Sequence, residues 1–305
     1  MVRLYRTCLP LALCLLAAVS GYAWSAASPT IESKYPGLSS GVLRQAVPGV
    51  VSGALAEADG MKITSGDLAA QLAKMRSPAK EQYGVYQFAL LEDMITSRLI
   101  DKEARTWALN NSIFGLQGEE LMRQFADSLV GGVKVSDEEA LAFYKENADQ
   151  FGSATYEQMA SSIKSYLQGE KVNALLRNHI ATLSSRHSIR ISDVWAKQQY
   201  RKWIQNPIEQ ARRSGKPTLV KFGADTCMPC RVMAPIIKEL GEKHKGKFNL
   251  LDINTDKEPV MSIQYGAEAI PLLIFYDKDG KEILRHTGGW DKASIEAGLA
   301  RIGVQ

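Results

Sequence analysis

Cys227 and Cys230 stand in the stretch ADTCMPCRVMAP, residues 224–235, far from either end of a 305-residue chain. The only other cysteines, Cys8 and Cys14, lie within the first twenty residues. Two thiols separated by two residues can cycle between dithiol and disulfide, supply half of a tetrahedral zinc site, or close a structural disulfide. A zinc site asks for two more ligands, and none of His179, His187, His244 and His286 stands near a second cysteine. A bridge between residues three apart closes too small a loop to remove much entropy from the unfolded chain. Redox cycling fits best, and it needs the attacking sulfur to be a thiolate near neutral pH. A helix N-terminus supplies that condition, because its amide hydrogens and macrodipole favour the negative form. Cys230, one turn further in, is then the less exposed sulfur, placed to attack a mixed disulfide formed on Cys227. Pro229 suits the first turn, where its missing amide hydrogen is not needed.

The elements around the pair are those that such a site requires. TLVKF, residues 218–222, is a short apolar run that reads as a strand, and the motif then opens a helix. FNLLDIN, residues 248–254, is a second buried strand, and IPLLIFYDKDGKEILRHTGG gives two more, joined in a hairpin at Asp279 and Gly280. SIEAGLARIG closes the chain with a helix, and VWAKQQYRKWIQNPIEQARRSGKP precedes the first strand as helix until Gly215 and Pro217 stop it. Alternating elements of this kind predict an α/β domain over residues 193–305.

Residues 61–192 have a different texture. Leu68, Leu72 and Met75, then Phe88, Leu91, Ile95 and Leu99, then Tyr156, Met159, Ile163 and Tyr166, repeat at intervals of three and four, the period of amphipathic helices. Thr64 or Ser65 can cap the first, and Ser136 with Glu139 forms a capping box before another. Gly169 is a candidate bend in the last. With no strand signal between Met61 and Leu183, this half is expected to be all helical, and SIRIS, residues 188–192, reads as a short strand or a linker. Residues 28–60, rich in Ser, Gly, Pro and Ala without sustained periodicity, read as a linker or loosely docked arm.

The chain opens with Arg3 and Arg6, an apolar run from Leu9 to Val19, and small residues at Ser25 and Ala27. The run falls short of the about 20 residues that span a bilayer, and the order is that of a secretory signal peptide over residues 1–27, with cleavage after Ala27 or Ser25. The expected location is the periplasm or the extracellular space. Leu13 is too bulky for Cys14 to read as a lipid-attachment site. The net charge of +4 loses two positive charges with that leader, which leaves no electrostatic argument for nucleic acid or an acidic membrane as partner. One cysteine pair in an oxidising compartment points to thiols that work rather than staple.

KPTLVKFGADTCMPCRVMAP, the strand FNLLDIN, AIP at 269–271, the DKDG hairpin and the glycines at 288 and 289 occur in an order and spacing that resembles the thioredoxin family. The resemblance implies a thioredoxin fold with thiol-disulfide oxidoreductase activity, no cofactor and no metal, and Cys227 and Cys230 as the catalytic pair. It also implies a cis-proline at Pro271 facing the cysteines, Ile270 offering backbone groups to an extended substrate segment, and Met228 and Pro229 bordering that segment. Three positions depart from the family pattern: Lys221 where a buried acid is usual, Thr226 where tryptophan is usual, and Met228 where glycine is common. The lost acid leaves the direction of electron flow open, and Lys221 itself reads as a snorkelling lysine at a strand edge. Asp252, Asn254, Asp256 and Glu258 imitate the start of a calcium loop, but Lys257 and Ile263 occupy the positions of its glycine and final glutamate, so a polar turn is expected.

MKITSGDLAAQL, LLEDMITSRLIDKEA, VSDEEALAFYKENADQF and the segment from Tyr156 to Ile191 resemble the N-terminal chaperone domain of SurA-type peptidyl-prolyl isomerases. Only GSAT, residues 152–155, separates the third segment from the closing helix, so no parvulin domain fits between them. The resemblance implies an all-α SurA-N-like domain that holds unfolded or extended polypeptide, with a scaffold or dimerisation module as the alternative. Two functions follow. One is an envelope oxidoreductase that recruits cysteine-containing or unfolded proteins and is kept reduced by a membrane or envelope partner if it acts as a reductase. The other is a chaperone or assembly factor whose thioredoxin domain serves in binding.

Overall fold

The computed structural model describes residues 28–305, and the expected signal peptide lies outside the described residues. The stretch expected as a linker or loose arm is folded into the body of the protein. Thr30 and Ser33 close a capping box on α1 (Ile31–Lys34), and Ile31 N–H donates to Ala46 O at 2.8 Å. A 3-10 turn over Val42–Gln45 follows. Ile31, Val42 and Leu43 have no exposed surface, and Tyr35 and Leu38 are also buried. These apolar residues enter the core from successive turns rather than from one helix face, so their spacing carries no period to read.

A buried carboxylate pins this segment. Glu92 Oε1 accepts from Ser39 Oγ at 2.6 Å, Leu43 N at 2.8 Å and Gly41 N at 3.1 Å, and Oε2 accepts from Ser40 N at 3.3 Å. Burial pushes the Glu92 carboxyl above the usual carboxylate range, and the donors from Ser39 and Leu43 pull it back in part.

The first half also contains a sheet. Its strands are β1 (Val47–Gly49), β2 (Ala56–Ala58), β3 (Met61–Ile63) and β4 (Ile189–Ser192), in the order β1-β4-β2-β3. β1 runs parallel to β4, and β2 is antiparallel to both of its neighbours. The all-helical expectation is therefore corrected at Met61–Ile63, and SIRIS becomes strand. Pieces three and four residues long are too short to display alternation. Asp59 at φ 48° and Gly60 at φ 82° make the β2–β3 turn, the Asp-Gly pair that such a hairpin favours.

Helices form the remainder of this half: α2 (Ser65–Lys74), α3 (Ala79–Val85), α4 (Gln87–Asn110), α5 (Gly118–Val130), α6 (Asp137–Glu146), α7 (Ala148–Phe151) and α8 (Tyr156–Arg186). Ser136 and Glu139 do close a capping box on α6. α8 runs as one helix from Tyr156 through Gly169 to Arg186. The apolar stripes legible in the sequence lie on α2, α4 and α8 and leave α3 and α5 unannounced.

The second half consists of α9 (Asp193–Trp203), α10 (Pro207–Arg212), β5 (Thr218–Gly223), α11 (Met228–Lys243), β6 (Asn249–Asn254), α12 (Pro259–Gln264), β7 (Leu272–Tyr276), β8 (Glu282–Thr287) and α13 (Lys292–Arg301). The helix expected to run to Gly215 is two helices, because Asn206 accepts from Glu209 N at 2.9 Å and starts a new one with Pro207 in its first turn. Strand order is β6-β5-β7-β8, with β6 parallel to β5 and β7 antiparallel to both neighbours. Gly280 closes the β7–β8 hairpin at φ 76°, where a Cβ would lie 2.5 Å from Arg212 O, so only glycine fits.

The two faces of this second sheet have different partners. Val220, Phe222, Leu272 and Ile274 enter one apolar cluster with Ile31, Leu91, Leu99 and Leu183 of the helical half. Trp203 stacks on Tyr265 at 5.7 Å and meets the edge of Tyr86 at 5.5 Å, and Val260 N donates to Gln82 Oε1 at 3.0 Å. Leu219, Leu273 and Phe275 on the opposite face pack against Met233, Ile237 and Leu240 of α11 and Ile295 and Leu299 of α13. The helical half thus covers the face that does not carry the cysteine helix.

Candidate active site

β5 delivers the chain to the cysteine motif, and its register fixes what the motif meets. Phe222 and Leu272 are the last paired residues of β5 and β7, so Gly223 leaves β5 opposite Pro271, which precedes β7. Thr255 N donates to Gly223 O at 2.8 Å, and Asn254 Nδ2 donates to Asp225 Oδ1 at 3.2 Å, which ties the loop before the motif to the end of β6.

Cys227 is the N-cap of α11. Its Sγ accepts from Cys230 N at 3.3 Å, and its carbonyl accepts from Arg231 N at 3.1 Å. Cys227 and Cys230 are joined in a disulfide with Cα atoms 5.2 Å apart. Cys227 is partly exposed, whereas Cys230 is 2% exposed and belongs to the inward face of the helix. Met228 and Val232 stand exposed beside them at 63% and 62%. A helix N-terminus that already directs an amide hydrogen at sulfur is a setting in which a thiolate is favoured.

The other residues singled out in the sequence gather here. The Ile270–Pro271 peptide bond is cis. Pro271 is buried and Ile270 half-buried. Gly288 N donates to Pro271 O at 2.8 Å, and a Cβ on Gly289 would lie 3.8 Å from Pro229 Cβ, so the turn after β8 touches both prolines. Trp290, next along, donates its N–H to Met233 Sδ at 3.4 Å and stacks on His286 at 4.1 Å. Burial pushes the His286 imidazole below its ordinary value.

Lys221 is not at a strand edge. β5 is flanked by β6 on one side and β7 on the other, and Lys221 is 6% exposed. Its Nζ donates to both carboxylate oxygens of Asp252, each at 3.0 Å. Asp252, the first residue of the calcium-like run, is occupied by this lysine, and Asn254 Oδ1 accepts from Asp256 N at 3.0 Å in a polar turn. The pairing of Lys221 with Asp252 was not read from the sequence, although both lie in strands whose parallel register sets them opposite each other. A charged residue at the centre of each apolar run was the available signal.

Comparison with known proteins locates the similarity in this half of the chain. The thioredoxin family profile matches residues 194–301. The chain is 38% identical over 94 residues to a thioredoxin of Alicyclobacillus acidocaldarius, spanning 31% of this chain and 89% of that one. It is 34% identical over 88 residues to thioredoxin 1 of a Nostoc species, covering 29% and 81% of the two chains. A thioredoxin-like protein of a Synechocystis species is 35% identical over 95 residues, with 31% and 90% covered.

Proposed function

The chain belongs to the thioredoxin family and is a thiol-disulfide oxidoreductase, and from that premise we propose that it works through Cys227 and Cys230 on envelope proteins held by its helical half. The observation that carries this reading is the asymmetry of the pair: a partly exposed sulfur capping α11 and a buried one a turn behind it. Acting as a reductant, the Cys227 thiolate attacks a client disulfide, one client sulfur leaves, and Cys230 then attacks Cys227 to release the other. Two electrons pass from the dithiol to the client. Run in reverse, the same steps oxidise a client dithiol.

Substrate contacts fall to Met228, Pro229, Ile270 and Pro271, which border the motif and the turn at Gly288. The likeness of the helical half to SurA-type chaperone domains assigns it the binding of unfolded polypeptide. Exposed apolar side chains there, Leu109 at 66% and Phe114 at 77%, support that role. The signal-peptide reading of residues 1–27 assigns the protein to the periplasm or the extracellular space.

The client-binding part has its own test. A Cys227→Ser/Cys230→Ser double variant is expected to suppress aggregation of a reduced, unfolded client as well as the wild type does, measured by light scattering. Loss of suppression in that variant would mean that holding clients depends on the redox pair. Absence of suppression in both proteins would remove the chaperone role of the helical half.

A further inference from the structure

We propose that the Lys221 ammonium, held in place by Asp252, stabilises the thiolate of Cys230 and thereby sets the resolving step and the potential of the pair. The proposal rests on the reading of Cys227 and Cys230 as the redox pair. β5 alternates its side chains between two faces. Val220 and Phe222 enter the cluster shared with the helical half, and Leu219 enters the cluster beneath α11. Lys221 therefore projects beneath α11 from the same face as Leu219. A Cβ built on Gly223 would meet Cys230 Sγ at 3.1 Å and Lys221 Cε at 3.4 Å. The buried sulfur and the last methylene of the lysine border one small space.

The ion pair is lopsided. The Lys221 side chain is 7% exposed, while that of Asp252 is 57% exposed. Water screens the carboxylate, whereas the ammonium acts on its buried neighbours through a medium of lower dielectric. A carboxylate in place of the ammonium would oppose a second negative charge on Cys230; the ammonium favours it. In the disulfide both sulfurs are neutral and gain little from the cation. In the dithiol the Cys230 thiolate gains, so the cation favours the reduced form and makes the pair more oxidising.

The Cys227 thiolate attacks one sulfur of a client disulfide, the client S–S bond breaks, and the departing sulfur takes a proton from solvent. Cys230, whose proton has already passed to solvent, attacks Cys227 Sγ. The bond from Cys227 to the client breaks, the Cys227–Cys230 bond forms, and the second client sulfur leaves as a thiolate. Two electrons have gone to the client, and no base has been needed at Cys230. Lys221 is thus a positioning residue that touches neither client nor Cys227.

The test measures two quantities on the full chain. The pH dependence of alkylation of the Cys230 peptide, read by mass spectrometry in a Cys227→Ser background, reports its thiolate. Equilibration of the intact pair with glutathione reports its potential. Lys221→Met is expected to move the Cys230 midpoint up by about one pH unit and to make the disulfide about tenfold harder to reduce, ~30 mV more negative. Asp252→Asn, at a largely hydrated site, is expected to move both quantities the opposite way, and Lys221→Arg to stay close to wild type. A merely structural lysine would not produce shifts of opposite sign in folded variants matched by circular dichroism. Unchanged midpoint and potential in Lys221→Met, with a wild-type pair that cycles, would overturn the proposal. If Lys221→Met does not fold, the absence of any shift in Asp252→Asn overturns it. A wild-type pair that does not exchange with glutathione at all would instead defeat the reading on which the proposal rests.

Discussion

In insulin reduction driven by a small dithiol, Cys227→Ser is expected to run no faster than the uncatalysed exchange, while the wild type accelerates it. The geometry makes the loss complete rather than partial. Cys227 alone combines partial exposure with the N-cap of α11, and Cys230 at 2% exposure cannot reach a client in its place. A serine hydroxyl at that cap still accepts an amide hydrogen, so the helix is kept, but it is not ionised near neutral pH and does not exchange with disulfides. Cys230→Ser is expected to differ in kind, retaining the first attack and stalling as a mixed disulfide visible on non-reducing gels. Equal activity of wild type and Cys227→Ser would sink the assignment of this site.

The second large effect concerns stability and lies far from the cysteines. Glu92→Ala is expected to destabilise the fold by about 3 kcal/mol or more, since buried donors left unpaired cost about 1–3 kcal/mol each. Ser39 Oγ and Leu43 N are both buried and both donate to Glu92 Oε1. That is a large share of the about 5–15 kcal/mol that typically separates folded from unfolded chains. Glu92→Gln keeps an acceptor at Oε1 and should lose less. The pH dependence separates charge from hydrogen bonding. Burial holds the folded-state carboxyl above its ordinary value of 4.5, so the penalty is absent below that pH and grows as pH rises through the folded value. The stability of the wild type relative to Glu92→Gln should therefore fall across that window. Urea unfolding followed by circular dichroism at several pH values measures it. A Glu92→Ala variant as stable as wild type would show that residues 28–60 do not depend on this carboxylate.

Much of the second half was legible because its elements announce themselves over many residues. TLVKF and IPLLIFY mark buried strands of six and five residues, FNLLDIN forms an edge strand in which only Ile253 is buried rather than the buried strand expected, and DKDG is a hairpin with glycine where φ must be positive. The cysteine motif then fell between a strand and a helix, which its chemistry requires. Residues 28–60 were illegible for the opposite reason. Their order comes from a distant partner, Glu92, and from apolar side chains inserted singly, neither of which leaves a local pattern. β1 to β4 are too short to alternate, and β4 joins strands more than a hundred residues away in sequence. Lys221 stands out in the sequence as a departure, but the sequence does not tell which strand is central, and the edge position expected for it is corrected by the strand order. Once β5 is known to lie between β6 and β7, a lysine there has to find a partner, and the parallel register offers Asp252.

The most direct measurement is to equilibrate the wild-type chain across a series of glutathione buffers, quench with an alkylating reagent and count free thiols on the 227–230 peptide by mass spectrometry. The expected result is a single reversible two-electron transition between no free thiols and two, with Cys227 the faster to alkylate once reduced. A peptide that stays bridged under strong dithiol, or whose two thiols never pair, would contradict it.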